Sequence, residues 1–208
     1  LQLNYYYDVE CFLRKKFSKR AKAVVKRPVS DDWETLVKGI NGYDENNERS
    51  KRAAEDQIKA LRMFSQRKLC VLTGSAGTGK TSVVKSFIAS EQIKKEGVLL
   101  LAPTGKARVR LGSMAHGVKS MTIAQFLTRC GCCDWTKMEA FVPYDIDNHK
   151  YAIEKNIIID ECSMLTCVDF YVLLNALDLA HVNRIILIGD QYQLPPIGCG
   201  RPFSDLCN

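Results

Sequence analysis

The chain has 208 residues, of which 46% are hydrophobic and 25% are charged. That balance is typical of a folded domain with a sizeable core, and it excludes intrinsic disorder, a collagen-like chain and a bare coiled coil. The formal net charge is +7, which is compatible with an anionic partner. Eight basic and two acidic residues within positions 1–30 account for +6, so positions 31–208 carry only +1.

The N-terminal stretch mixes its basic residues with aromatic ones such as Tyr5, Phe12 and Phe17. We expect a small helical or strand-plus-helix element here, which either contacts nucleic acid or a partner protein or presents an ordinary solvated helix face. Positions 41–52 are polar and carry the turn dipeptide Asn-Gly, which indicates a linker. We therefore divide the chain into a basic N-terminal element with linker, residues 1–50, and a larger domain, residues 51–208.

Beyond position 52, short apolar runs alternate with segments of helical periodicity. Nearly all-apolar runs of this kind are typical of parallel strands covered on both faces. The fold class predicted is α/β, with a parallel sheet flanked by helices. The predicted strands are 69–73, 98–102, 157–160 and 185–189, and the predicted helices are 53–65, 80–90, 122–129 and 163–180.

Nine cysteines, an odd number, are scattered along the chain. This usage indicates a reduced, intracellular protein rather than a disulfide scaffold. Cys130, Cys132 and Cys133 cluster, and His149 is a possible fourth metal ligand, but the C-x-C-C spacing favours free thiols over a zinc site. No apolar run is long enough for a membrane span, and no signal sequence is apparent. Because the chain begins with Leu1, we expect a piece of a longer protein.

A glycine-rich segment follows the first strand and matches G-x-x-x-x-G-K-[ST] at every fixed position. Such a loop turns its backbone N–H groups toward phosphate oxygens at the start of a helix. The lysine is expected to reach the β- and γ-phosphates, and the threonine to ligate Mg²⁺. The expected nucleotide-binding residues are Gly74, Ser75, Ala76, Gly77, Thr78, Gly79, Lys80, Thr81 and Ser82.

Two further strands end in polar residues suited to the same site. Asp160 and Glu161 follow an Ile-Ile-Ile run, and we expect Asp160 to bind Mg²⁺ with Thr81 and Glu161 to act as the general base for water. Asp190 and Gln193 follow the last strand, and the Gln193 amide is suited to sense the γ-phosphate. Lys80, Glu161 and Gln193 are thus the candidate catalytic residues.

Together, these segments resemble the first RecA-like motor domain of a superfamily 1 DNA helicase, nearest to the RecD-like branch. The resemblance covers roughly residues 53–208, and its motifs occur in the family's order. It implies a RecA-like P-loop fold, the cofactors ATP and Mg²⁺, and single-stranded DNA as partner. The segments that carry it are G-S-A-G-T-G-K-T (74–81), L-A-P-T-G-K-A (101–107), T-I-A-Q-F-L (122–127), I-I-I-D-E-C-S-M (157–164) and G-D-Q-Y-Q-L-P-P-I-G-C-G-R-P-F (189–203).

The resemblance also implies roles for residues outside the phosphate site. Gln57 is similar to the glutamine that contacts the adenine edge, although an ordinary exposed helix residue is the alternative. The residues expected at the strand are Pro103, Thr104, Gly105, Lys106 and Thr122, with added charge from Arg108 and Arg110 or else a solvated basic face. The insertion at 129–156 is expected either to form a strand-separating hairpin tipped by Trp135, Phe141 and Tyr144, or to pack its aromatics back on the domain.

This chain departs from the family's pattern in three respects. Ala124 and Gln125 replace a His-Arg pair, so only Thr122 transfers as a strand contact, and Cys162 replaces a usual alanine with little expected consequence. The sequence also stops before a second RecA-like domain and its arginine finger. Because such fingers contribute about 10³- to 10⁵-fold in rate, we expect these 208 residues alone to hydrolyse ATP poorly.

The function predicted is ATP- and Mg²⁺-dependent translocation on single-stranded DNA with duplex unwinding, 5′ to 3′ by resemblance, in replication, recombination or repair. The alternative is a non-helicase P-loop ATPase that acts as a nucleotide switch or loader for a partner. Retention of Glu161 and Gln193 favours the motor, because a pure binding module needs neither residue.

Overall fold

The computed structural model describes residues 2–40, 42–75, 77–115, 117–134, 139–148 and 150–207. The helices are α1 (Gln2–Lys22), α2 (Trp33–Ile40), α3 (Glu48–Gln66), α4 (Lys80–Ala89), α5 (Glu91–Glu96), α6 (Gly105–Met114), α7 (Ile123–Arg129), α8 (Cys167–Ala176) and α9 (Pro202–Cys207). The strands are β1 (Leu69–Thr73), β2 (Val98–Ala102), β3 (Lys119–Thr122), β4 (Cys133–Asp134), β5 (Glu139–Ala140), β6 (Asn156–Ile159) and β7 (Arg184–Gly189). Short 3₁₀ turns occupy Ile146–Asn148 and Cys162–Met164.

Five strands form one parallel sheet in the order β1-β7-β6-β2-β3. In register, Leu69 lies beside Ile185, which pairs with Ile157 and through it with Leu99. The sheet's apolar side chains alternate between two buried clusters, one against α1, α7 and α8 and the other against α2, α3, α4 and α6. This arrangement confirms the predicted α/β fold with a parallel sheet flanked by helices.

The predicted helix at 163–180 differs most from the structure. Residues Cys162–Met164 form a 3₁₀ turn, and α8 begins only after Thr166. The Thr166 hydroxyl accepts from the Asp169 N–H while the Asp169 carboxylate accepts from the Thr166 N–H, which fixes the start of the helix. Strand β3 and helix α6 were not predicted, because β3 is a half-exposed edge strand with polar residues and α6 lacks a clear apolar stripe.

The N-terminal helix α1 packs on the sheet. Val9, Leu13 and Phe17, spaced four residues apart, are at most 5% exposed and belong to the cluster on one face. The Phe17 ring meets that of Phe170 in α8 edge to face at 5.6 Å. The predicted helical element is therefore present, with Phe17 in the core. Further on, α3 begins at Glu48 and runs through the predicted boundary at residue 50.

Arg20 links α1 to the domain rather than facing solvent. Its guanidinium donates to the carbonyls of Leu179, Lys68, Val182 and Asn183 at 2.9 to 3.3 Å. The residue is 7% exposed, and burial lowers the pKa of Arg20 to about 10. This part of the basic cluster is structural.

We expect Arg20→Met to lower the free energy of unfolding by about 2–4 kcal/mol, because hydrogen bonds to a charged group contribute about 1.5–3 kcal/mol each and the carbonyls would lose their donor. Lys19→Met is the matched control. Lys19 is the neighbouring residue and its side chain is exposed, so this change should alter the free energy of unfolding by less than about 0.5 kcal/mol. Urea denaturation of both variants provides the measurement. Equal midpoints for the two would contradict a structural role for Arg20.

The insertion contains a short antiparallel hairpin of β4 and β5. Residues 135–138, which include Trp135, lie outside the described residues. Phe141 is 45% exposed and the Tyr144 side chain is fully exposed, so neither packs into the core. A strand-separating role stays a prediction. Among the described residues, no helix is both long and apolar enough to cross a membrane.

Candidate nucleotide site and strand-contact loop

A cavity of about 340 Å³ opens at the carboxyl edge of the sheet. It is built where β1, β7 and β6 lie side by side, so the segments that follow these three strands converge there. The residues that line it include Gly77, Thr78, Gly79, Lys80, Thr81, Asp160, Glu161, Asp190 and Gln193. The structure thus brings together, from three distant segments, residues that the sequence assigns to one nucleotide site.

The phosphate loop connects β1 to α4. Gly77 and Gly79 have φ angles of 80° and 85°, a left-handed conformation that favours glycine. A side chain at Gly79 would also approach the Gln57 amide nitrogen to 3.3 Å, so Gln57 lies beside the loop. The N–H of Gly74 donates to the Gly189 carbonyl at 3.3 Å, which ties the loop to β7. Ala76 lies outside the described residues.

Lys80 folds over this loop. Its ammonium donates to the carbonyl of Ser75 at 2.8 Å and also to that of Gly74. The Thr78 hydroxyl donates to the same Ser75 carbonyl at 2.8 Å. The lysine charge is therefore held at the loop, close to where bound phosphates would replace these carbonyls as acceptors.

Asp160 and Glu161 end β6 at the wall of the cavity. The Asp160 side chain is only 10% exposed, and its Oδ1 accepts from the Glu161 N–H at 2.9 Å. Glu161 has φ 55°, the left-handed region, and is the one non-glycine residue among those described with a positive φ. Next to it, Cys162 is fully buried, and burial raises the pKa of its thiol well above the usual value, so Cys162 packs as a neutral group.

Arg110, for which added charge at the DNA strand or a solvated basic face is expected, lines this cavity. Nη2 of Arg110, on α6, donates to Asp160 Oδ2 at 3.1 Å and to Glu161 Oε1 at 2.7 Å. Burial by itself lowers the pKa of Arg110, but the hydrogen bonds to the two carboxylates outweigh it and raise that pKa above its ordinary value. The guanidinium is therefore a cation held at the carboxylates, and a DNA contact by Arg110 stays a prediction.

Gln193 and Asp190 sit on the loop after β7. The Gln193 Oε1 accepts from the Ser163 hydroxyl at 3.2 Å, which connects this loop to the segment after β6. Asp190 is 8% exposed and uses Oδ1 to accept from the Tyr192 N–H at 3.0 Å, so it shapes the turn that carries Gln193. Sequence reasoning missed Ser163, although it lies only two residues beyond Glu161.

The donor set suits Mg²⁺. Mg²⁺ prefers oxygen ligands, and the Asp160 carboxylate and the Thr81 hydroxyl both line the cavity. The guanidinium of Arg110 already places a positive charge against Asp160 Oδ2, which shows that this oxygen attracts a cation. The residues present therefore fit the metal that the motif implies.

The segment 103–106 follows β2, which is separated from β7 by β6, and its last two residues already belong to the first turn of α6. Thr104 caps α6 by accepting from the Ala107 N–H at 3.2 Å, and its own hydroxyl proton can be donated elsewhere. Thr122 caps α7 reciprocally with Gln125. Gln125, which stands where the family usually has arginine, is thus a helix-capping residue here. Lys106 and Gly105 are exposed, and Arg108 and Arg129 line a groove of about 330 Å³ nearby.

These features define a class of protein: an α/β domain whose phosphate loop and Asp-Glu pair meet at the carboxyl edge of a parallel sheet is a P-loop nucleotide-binding domain. A family described as an AAA domain matches residues 57–199. The chain belongs to this family, in the RecD-like branch of the superfamily 1 helicases, as the motifs predict.

The chain is 31% identical over 177 residues to the ATP-dependent RecD2 DNA helicase of Deinococcus radiodurans, covering 85% of this chain and 22% of that protein. It is 30% identical over 170 residues to uncharacterized protein MJ1519 of Methanocaldococcus jannaschii, covering 78% of this chain and 14% of that protein. It is 28% identical to RecBCD enzyme subunit RecD of Mycolicibacterium smegmatis, covering 73% of this chain and 30% of that one. The chain therefore spans less than a third of each relative's length.

Proposed function

We propose that this chain is the nucleotide-binding motor domain of an ATP-dependent DNA helicase, which couples ATP hydrolysis to movement along single-stranded DNA and to duplex unwinding. The observation that carries the proposal is the convergence of Lys80, Asp160, Glu161 and Gln193 around one cavity at the sheet edge that also presents the segment 103–106. The names of the RecD2 and RecD relatives support it. The direction, 5′ to 3′, and a role in replication, recombination or repair rest on the resemblance to the RecD-like branch.

In this proposal each polar group acts on a different part of the nucleotide. Lys80 leaves the carbonyls of Gly74 and Ser75 and binds the phosphates, and Gln57, beside the loop, contacts the base. Asp160 and Thr81 hold Mg²⁺, which screens phosphate charge when bound. Glu161 accepts a proton from the attacking water.

Gln193 is placed to link the nucleotide to the rest of the motor. Its amide oxygen accepts a hydrogen bond from Ser163. If the amide bonded to the γ-phosphate instead, both the loop after β7 and the turn after β6 would lose this contact and could shift. A second RecA-like domain, which we propose as the intramolecular partner, would close over the same edge and supply the remaining cation.

The decisive test measures ATP hydrolysis by the full-length protein with and without an oligo-dT strand. We expect the strand to stimulate hydrolysis, and Lys106→Ala to raise the DNA concentration needed for half-maximal stimulation and to reduce the salt slope of binding by about 1, because one phosphate contact is lost. Lys95→Ala, exposed on α5 at the opposite edge of the sheet, is the matched control. ATP hydrolysis at the same rate with and without DNA would contradict the motor function and favour a nucleotide switch or loader.

A further inference from the structure

Arg110 has no role in the function proposed above, yet it forms ion pairs with both carboxylates of the cavity. Its guanidinium bridges the two carboxylates from α6, fifty residues earlier in the chain. Of the described residues that line the cavity, Lys80 and Arg110 are the cationic ones. Lys80 covers the phosphate loop and Arg110 the carboxylates, so each half of the site holds its own positive charge.

The contact uses the Asp160 oxygen that accepts no backbone hydrogen bond. Asp160 Oδ1 is engaged by the backbone N–H of Glu161, and Oδ2 is engaged by Arg110. A divalent cation cannot share Oδ2 with a guanidinium at 3.1 Å without strong like-charge repulsion. Binding of the metal at Oδ2 of Asp160 therefore requires Arg110 to move.

Of the three side chains, Arg110 is the one free to move. Asp160 and Glu161 are 10% and 22% exposed and follow a buried strand, whereas the Arg110 side chain is 56% exposed on a long stem. Its helix is anchored on the sheet by Ala107 and Leu111, both buried, so the backbone stays while the guanidinium swings. Because the Arg110 partner of both ion pairs is open to solvent, water can replace the carboxylates around the guanidinium, which makes the exchange reversible.

We propose that Arg110 is a positioning residue that occupies the metal side of the site without nucleotide, holds Asp160 and Glu161 in place, and competes with Mg²⁺ for Asp160. The inference rests on the proposed function, because it needs a Mg²⁺-nucleotide as the incoming ligand. It goes beyond that function by assigning a metal-competing cation to α6, the helix whose first turn carries the strand-contact residues Gly105 and Lys106.

The test is equilibrium binding of a fluorescent, non-hydrolysable ATP analogue to the full-length protein, without DNA, as Mg²⁺ is titrated. We expect Arg110→Met to lower the Mg²⁺ concentration at half-maximal binding by about three- to tenfold, because the competing charge is gone. Arg110→Lys keeps a cation but loses the planar guanidinium, so its Mg²⁺ midpoint should lie between those of the wild type and Arg110→Met. Arg62→Met, an exposed arginine on α3, controls for net charge and should match the wild type.

Binding of the analogue in EDTA separates the possible failures. If Arg110→Met binds the analogue in EDTA as well as the wild type does, the variant retains a folded site. If Arg110→Met does not fold, the Mg²⁺ titration of Arg110→Lys tests the competition. An unchanged or higher Mg²⁺ midpoint in the folded variant overturns competition by Arg110. Two other results would contradict the proposed function instead: no Mg²⁺-dependent binding of the analogue by the wild type, or equal binding of the analogue by the wild type and Lys80→Ala. Either result would show that the nucleotide site is wrongly assigned.

Discussion

Lys80→Ala in the full-length protein is expected to reduce DNA-stimulated ATP hydrolysis by about 10²- to 10³-fold, the loss that follows removal of one preorganised charge-stabilising group. The reason lies in the cavity: Lys80 is the cation of the phosphate loop, and Arg110 on the far side is engaged by the two carboxylates. Steady-state phosphate release at saturating single-stranded DNA gives the measurement.

Lys85→Ala is the matched control for this variant, because Lys85 lies five residues later in the same helix and does not line the cavity. It should hydrolyse ATP at close to the wild-type rate. A Lys80→Ala protein that retained more than about a tenth of wild-type hydrolysis would be incompatible with a phosphate-binding role.

Glu161→Gln is expected to separate binding from chemistry. The amide keeps the size of the side chain but cannot take a proton from water, so hydrolysis should fall by about 10²- to 10⁴-fold while ATP still binds. Single-turnover hydrolysis and binding of the fluorescent analogue measure the two effects. Glu55→Gln, exposed on α3, controls for loss of one carboxylate.

Asp160→Asn provides the contrasting result at the adjacent position. If Asp160 holds the metal, this change should weaken Mg²⁺-dependent nucleotide binding itself, whereas Glu161→Gln should still bind nucleotide in a Mg²⁺-dependent way. If Glu161→Gln lost Mg²⁺-dependent binding and Asp160→Asn kept it, the two proposed roles would have to be exchanged.

Four strands of the parallel sheet, β1, β2, β6 and β7, were predicted well, because burial on both faces leaves little choice of residue. Strands β1 and β2 have the predicted bounds, and β6 and β7 each begin one residue earlier, at Asn156 and Arg184. Both of these residues are polar and fully buried, and Arg184 donates to Asn156 and Glu96. An apolar pattern cannot find such residues, because their polar groups are hydrogen-bonded to partners distant in sequence.

The N-terminal stretch shows where prediction from the sequence fails. The amphipathic spacing of Val9, Leu13 and Phe17 was present in the sequence, but nothing local indicated that their partner would be α8. Arg20 looked like one more basic residue of a charged cluster until its four carbonyl acceptors appeared from other segments. Charge in a sequence does not distinguish a solvated cation from a buried one.

The sequence by itself determined the phosphate loop, the Asp-Glu pair, Gln193 and the family, because their chemistry depends on residue types at fixed local spacing. Only the tertiary structure decided that β7 lies between β1 and β6, which brings the segments after these three strands around one cavity. It also decided that Arg110 faces the carboxylates, although in sequence it follows the strand-contact loop. Strand order and helix rotation place such side chains, and both are set by packing across the whole sheet.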